Sequence, residues 1–280
     1  MSFEKYTEVP INIVVTSESG METTYFALAK DFNFDNSATL SPYRILGKAT
    51  DSRQYTPTGN KEAKISMNLY VDPTIDSPAL MCRMAQSDQG FTIKIGKTIL
   101  NYCYVDSVSY SVVPFQPVIV SVTCSCYEVE SLSLIPSTDL NSTLFNIGSG
   151  TKSEIILQGN SWSGDVLEAQ VSINANREIL YAPGSTVPMR SNLVSSELNC
   201  QMNVSHVGSF IDYKGADFTL AIAVVNDLGT ACFNFSDIIV SENAQDGRDY
   251  LLKCVCSSQS LSVDEGGFVN GTMNFKAILV

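Results

Sequence analysis

One histidine and one tryptophan in 280 residues leave little room for most catalytic chemistries. Any triad or metal site that needs an imidazole must use His206 alone. His206 continues the alternation Met202, Val204, His206, which predicts a structural or rim residue at the end of an apolar strand face. Trp162 stands by itself in Ser161-Trp162-Ser163-Gly164 and reads as a packing or interface residue rather than a sugar platform. No Gly-x4-Gly-Lys-Ser/Thr loop, no Gly-x-Gly-x-x-Gly turn and no Gly-x-Ser-x-Gly elbow occurs, so the common phosphate, dinucleotide and serine-hydrolase signatures are missing. No apolar run approaches the length of a membrane span. The opening Met1-Ser2-Phe3-Glu4-Lys5 lacks the basic and apolar regions of a signal peptide, which predicts a chain that is not exported. On that expectation Asn141, Asn203, Asn234 and Asn270 are unglycosylated, although each opens an Asn-x-Ser/Thr triplet. The eight cysteines are then reduced thiols in a cytosol.

Charge is also scarce. Only 16% of residues are charged, against 44% hydrophobic, which is low for a freely dispersed monomer. The uncharged polar residues are Ser, Thr and Asn, a composition suited to sheets that face other subunits. The formal net charge of −12 disfavours binding to DNA phosphates. It is compatible with an acidic wall past which DNA slides, and equally with plain solubility. Zinc is not expected. Cys124-x-Cys126 and Cys254-x-Cys256 lack knuckle spacing, and in a strand they put both thiols on one face as small hydrophobes. Carboxylates such as Asp35, Asp72, Asp212 and Asp237 leave a paired-acid site open in principle, with nothing in the sequence to support one. No cofactor and no enzymatic activity are expected.

What the chain does contain is period-two alternation. Val118, Val120, Val122, Cys124 and Cys126 alternate with Ile119, Ser121, Thr123 and Ser125. Ile65, Met67, Leu69 and Val71 do the same, as do Leu198, Cys200, Met202 and Val204. One apolar and one polar face is the pattern of antiparallel sheets packed on one side. The alternating blocks recur in order. Ile65-Ser66-Met67-Asn68-Leu69 is answered by Cys200-Gln201-Met202-Asn203-Val204, and Phe91 to Ile95 by Phe218 to Ile222. Ser107 to Val112 is answered by Ser258 to Val263, and from there both halves run ungapped to Val129 and Val280. Cys124-Ser125-Cys126 can instead be set against Cys254-Val255-Cys256. The register that ends both halves together is preferred because it keeps strand parity throughout.

The expected fold is therefore mainly β: two tandem antiparallel β-sandwich or barrel-like domains, 1–130 and 151–280, each with at most one short flanking helix. A linker over 131–150 joins them, with Gly148-Ser149-Gly150-Thr151 read as linker and Leu144 to Ile147 able to pack or add a strand. One helix is expected where Ser77 can cap and Pro78 opens Ala79 to Gln86. Its counterpart, Ser209 to Tyr213, has room for one helical turn. Two long polar segments precede the Met-Asn strands and read as long hairpins or loops that bind a partner. The first, Arg44 to Lys64, holds Arg53, Gln54, Tyr55, Thr56, Pro57, Thr58, Gly59 and Asn60; the second, Arg177 to Glu197, holds Tyr181, Pro183, Gly184, Thr186 and Pro188.

This order of strand, long polar loop, alternating strand, helix or turn, strand and Ser-rich closing hairpin resembles the tail-tube fold of long-tailed bacteriophages. The resemblance runs most closely over Ala38 to Val129, through Tyr43-Arg44-Ile45-Leu46-Gly47 and Ser107-Val108-Ser109-Tyr110-Ser111-Val112. It implies a structural protein of the virion tail, made in the bacterial host cytoplasm, that partners itself. Its subunits would close into rings, as a trimer with pseudo-six-fold symmetry or a hexamer. The rings would stack through the two long loops, meet other tail proteins, and pass DNA through the lumen without specific binding. Tail terminators, baseplate rings, decoration proteins and tandem β-sandwich receptor-binding modules share the same bulk features.

Overall fold

The computed structural model describes residues 11–17, 19–37, 40–43, 54–57, 62–131, 145–159, 164–183, 185, 187–207, 211–234, 252–263 and 268–279. The chain is mainly β. The first half supplies β1 (Ile11–Thr16), β2 (Glu22–Ala27), β3 (Ala29–Ser37), β4 (Leu40–Tyr43), β5 (Gln54–Pro57), β6 (Glu62–Tyr70), α1 (Ser77–Met84), β7 (Phe91–Ile95), β8 (Thr98–Val112) and β9 (Ile119–Ser131). The second supplies β10 (Gly148–Gly159), β11 (Asp165–Leu180), β12 (Arg190–Val207), β13 (Asp217–Asn226), β14 (Ala231–Asn234), β15 (Leu252–Val263) and β16 (Phe268–Ile278).

Fourteen strands form one sheet, and β4 with β5 forms a separate hairpin. Hydrogen-bonded order in the first half is β1-β7-β8-β9-β6-β3; in the second it is β10-β13-β15-β16-β12-β11. The two sequences of connections are the same. They meet where Ser107 to Val112 of β8 pairs antiparallel with Ala169 to Asn174 of β11. A single sheet thus crosses the midpoint of the chain.

The period-two pattern explains the layering. Ile65, Met67 and Leu69 on β6 are fully buried, as are Val120, Val122 and Cys124 on β9, and Leu198, Cys200 and Met202 on β12. Leu80, Met81 and Met84 of α1 join the same hydrophobic core, which extends without a break to Phe218, Met273 and Phe275. Apolar burial of this kind contributes about 1.5–3 kcal/mol per large side chain and is the main force holding the layers together.

Local signals are displaced slightly from the sequence reading. Asp76, not Ser77, occupies the N-cap and makes no side-chain cap bond, while Ser77 and Pro78 lie in the first helical turn. Pro tolerates that turn because its missing N–H has no helical acceptor there. The stretch from Gly148 to Thr151 is the start of β10 rather than linker. Gly148 is held there: its N–H donates to the Val71 carbonyl at 2.8 Å, and its own carbonyl accepts from Val118 N–H at 2.8 Å. Phe145 stacks on Phe26 at 6.5 Å between centroids. Residues 132–144 of the expected linker, Trp162 and Asp237 lie outside the described residues.

Candidate functional site

Register makes the internal repeat specific. Met67 lies opposite Val122 on β9, and Met202 lies opposite Met273 on β16. Ser109 faces Ser121 as Ser260 faces Thr272. Phe91 faces Cys103 as Phe218 faces Cys254. These pairs agree with the alignment that ends both halves together. They exclude the alternative cysteine alignment, because Cys124 and Cys126 sit on β9 whereas Cys254 and Cys256 sit on β15, the strand before the last.

Irregularities repeat as well. An extra residue between Val105 and Ser107 on β8 recurs between Cys256 and Ser258 on β15. Another, between Ala29 and Asp31 on β3, recurs between Val166 and Glu168 on β11. Bulges bend and twist a strand, so these two shared bulges deform corresponding strands in the same way.

The repeated Met-Asn dipeptide now has a physical role. Met fills the core while Asn, on the opposite face, ties three strands together. Asn68 Nδ2 donates to Asp31 Oδ1 at 2.7 Å, and its Oδ1 accepts from Ser121 Oγ at 2.5 Å. In the second half Asn203 Nδ2 donates to Glu168 Oε1, and its Oδ1 accepts from Thr272 Oγ1 at 3.0 Å. A side-chain amide offers a donor on one atom and an acceptor on the other, which lets each Asn meet an acid on one side and a hydroxyl on the other. Each bulge places its acid one residue beyond the shift, opposite the Asn.

Eight strands form an uninterrupted antiparallel run, β15-β16-β12-β11-β8-β9-β6-β3, four from each half. Its non-core face carries Ser66, Asn68, Ser109, Ser111, Ser121 and Thr123 in the first half. Gln170, Ser172, Asn199, Gln201, Thr272 and Asn274 line it in the second. The charges on it include Lys64, whose ammonium donates to Asp106 Oδ2 at 3.2 Å and lies 2.7 Å from Glu62 Oε1. Burial pulls the Lys64 pKa down, but Glu62 and Asp106 outweigh it and hold the pKa above the ordinary lysine range.

Arg177 locks the junction between halves. Its Nε donates to the Val105 carbonyl at 3.0 Å, and its Nη2 donates to the Met84 carbonyl at 2.8 Å, at the negative end of α1. The guanidinium lies 5.8 Å from the Tyr104 ring centroid. Burial lowers the Arg177 pKa from its ordinary value, with Asp106 and Asp88 opposing. Beside it Tyr181 packs edge-on to Tyr127 at 6.3 Å, and Leu193 N–H donates to Asp88 Oδ1. The β11–β12 hairpin therefore fills an aromatic groove of the first half.

Of the expected loop residues, Gln54, Tyr55, Thr56 and Pro57 form β5, paired with Tyr43, Pro42, Ser41 and Leu40 respectively. Pro183 is exposed and Pro188 is buried. Arg53, Thr58, Gly59, Asn60, Gly184 and Thr186 lie outside the described residues. Sequence reasoning did not pick out Arg177 as an anchor, because nothing local marks which acceptors a lone arginine meets across the fold. Phe115 was also missed. It sits 90% exposed on the turn between β8 and β9 with φ 65°, its N–H bonded to Thr151 Oγ1 at 2.6 Å.

Among the described residues no group of three or more His, Cys, Asp or Glu side chains could hold a metal ion. Among them, too, no helix is long and apolar enough to cross a membrane. His206 lies on β12 opposite Val269. No protein-family model matches this chain, and no curated protein matches it in sequence.

Proposed function

We propose that this chain is a structural subunit of a bacteriophage tail tube, assembling into closed rings that stack into a conduit for DNA. Its support is the eight-strand antiparallel run, in which two halves with the same strand order, corresponding registers and two shared bulges lie side by side. A subunit that already contains two equivalent units needs three copies for six-fold pseudo-symmetry, and three such runs make a barrel of 24 strands. Closure removes strand edges that are otherwise an aggregation liability.

On this reading the polar face lines the lumen. Its serine, threonine and amide side chains carry no charge, its lysines Lys64 and Lys276 are outnumbered by Asp31, Glu62, Asp106, Glu168 and Glu197, and the chain's net −12 keeps DNA from adhering. The core face, with α1 packed on it, turns outward. At the tip of the β11–β12 hairpin the exposed Pro183 and Met189 are open to a neighbouring ring, and no residue performs a reaction.

Negative-stain electron microscopy of the purified chain, with its solution mass, tests this. Rings or hollow tubes and a ring mass of three chains are expected. A monodisperse monomer at every concentration and salt condition overturns the reading and favours a tandem binding module.

A further inference from the structure

The junction inside the chain is a template for a junction between chains. On β8, Ser107 to Val112 is paired with β11, and Ser107 to Tyr110 is paired on the other side with β9 as well. The equivalent stretch of β15, Ser258 to Val263, pairs only with β16 among the described residues. On β11, Ala169 to Asn174 is likewise paired on both sides, with β12 and β8. The equivalent stretch of β3, from Phe32, pairs only with β6 among the described residues. One half therefore ends in the edge that the other half's edge fits.

Carrying the β8–β11 register across the repeat sets Phe32 opposite Val263, Asn33 opposite Ser262, Phe34 opposite Leu261 and Asp35 opposite Ser260. The repeat dictates this register, but the chemistry agrees with it independently. Over these four pairs apolar residues meet apolar ones on the core face, and polar residues meet polar ones on the other. Slipping by one residue would set Phe34 against a serine. The burial also fits an interface still to be covered. Val108, Tyr110 and Val112, under β11, are buried, whereas Leu261 is half-buried and Val263 is 58% exposed. Phe32 and Phe34 are half-buried where their counterparts Ala169 and Val171 are buried.

The groove beside the edge repeats the asymmetry. In the first half it is walled by Tyr104 and Tyr127 and filled by Arg177 and Tyr181, from the chain just beyond the paired part of β11. The equivalent walls in the second half are Val255, 42% exposed, and Ile278, 80% exposed. They border an open cleft of about 1010 Å³ that also takes in Phe218, Glu197 and Lys276.

We infer that β15 of one copy pairs antiparallel with β3 of a second copy in this register, on the edge beside which the cleft opens. The contact is head-to-tail, so each copy uses both edges once, which is what a ring requires. This rests on the self-assembly reading and names the surface it uses.

Cysteine cross-linking of the full chain tests it. Asn33→Cys and Ser262→Cys are made singly and together, with Asn33→Cys/Ser260→Cys as a pair displaced along the same face. Under mild oxidation the double variant should form a ladder of linked chains. An equal mixture of the two single variants should give dimers, with neither doing so alone, and the displaced pair should link several-fold more weakly. Dimers from one single variant alone would mean a symmetric contact and overturn the inference. Rings of the expected mass in which the thiols introduced at Asn33 and Ser262 do not link would overturn this seam and leave the tail-tube reading standing. Neither rings nor links would remove both.

Discussion

At the scale of residues, neighbours in sequence do opposite jobs, and their replacement should separate the two. Met67 is 1% exposed in the core, while Asn68 bridges Asp31 and Ser121 on the polar face. Met67→Ala should cost about 2–5 kcal/mol through lost burial and a cavity. Asn68→Ala should cost only about 0.5–1.5 kcal/mol, because water replaces the lost bonds on that face. Urea denaturation of the two variants measures the difference. Cysteine reactivity makes a second residue-scale prediction. Cys232 is half-buried, while the other seven thiols are buried. Burial pushes the Cys232 thiol up to about 11 and the Cys82 thiol up to about 12. Alkylation at pH 8 should therefore be slow everywhere, with Cys232 modified first and the rest reacting only after unfolding. Mass spectrometry of timed samples reads this directly.

At the scale of elements, two contacts besides the β8–β11 ladder test how the halves are held to each other. Arg177, on β11, donates to main-chain carbonyls of β8 and α1. Arg177→Met keeps the length and the apolar stem but leaves those carbonyls without their charged donor. A loss of about 2–3 kcal/mol in denaturant unfolding is expected. The second contact is the entry of β10 beneath the β8–β9 turn, where Gly150 N–H donates to Gln116 O at 2.9 Å. A Cβ on Gly150 would lie 1.9 Å from the Val113 carbonyl oxygen, and that oxygen is backbone. Gly150→Ala should lower stability by about 1–3 kcal/mol or more, as forced overpacking does, and thermal unfolding would show it.

For the whole molecule, the buried thiols set the response to alkali. The folded chain holds Cys82 protonated up to about pH 12, whereas an unfolded cysteine ionises near about 8.5. Its folded pKa is raised, so its contribution to stability is complete below the unfolded value. That contribution falls as pH climbs through the folded one. Burial raises Cys200 and Tyr110 in the same direction, and Lys64, held above its ordinary range, behaves alike. Denaturation midpoints should be little affected by these groups below about pH 8.5 and should drop between about pH 9 and 12. A midpoint that rises across that window would contradict the burial assigned to Cys82.

Alternation determined much of this molecule by itself. The faces of β6, β9 and β12, the inward thiols of β9 and β15 and the order of the repeated blocks follow from period two, because a strand exposes every second side chain to one layer. The helix was legible from Pro78 and the apolar residues behind it, to within one residue at its cap. What the tertiary structure decided is whatever depends on partners distant in sequence. These are the single sheet through β8 and β11, the bulges that set an acid opposite each Asn, the strand character of Gly148 to Thr151, and the seating of Arg177. Strand edges find partners by register and curvature, and a guanidinium finds carbonyls by position. Neither leaves a local pattern, since the groups that satisfy them are tens of residues away along the chain.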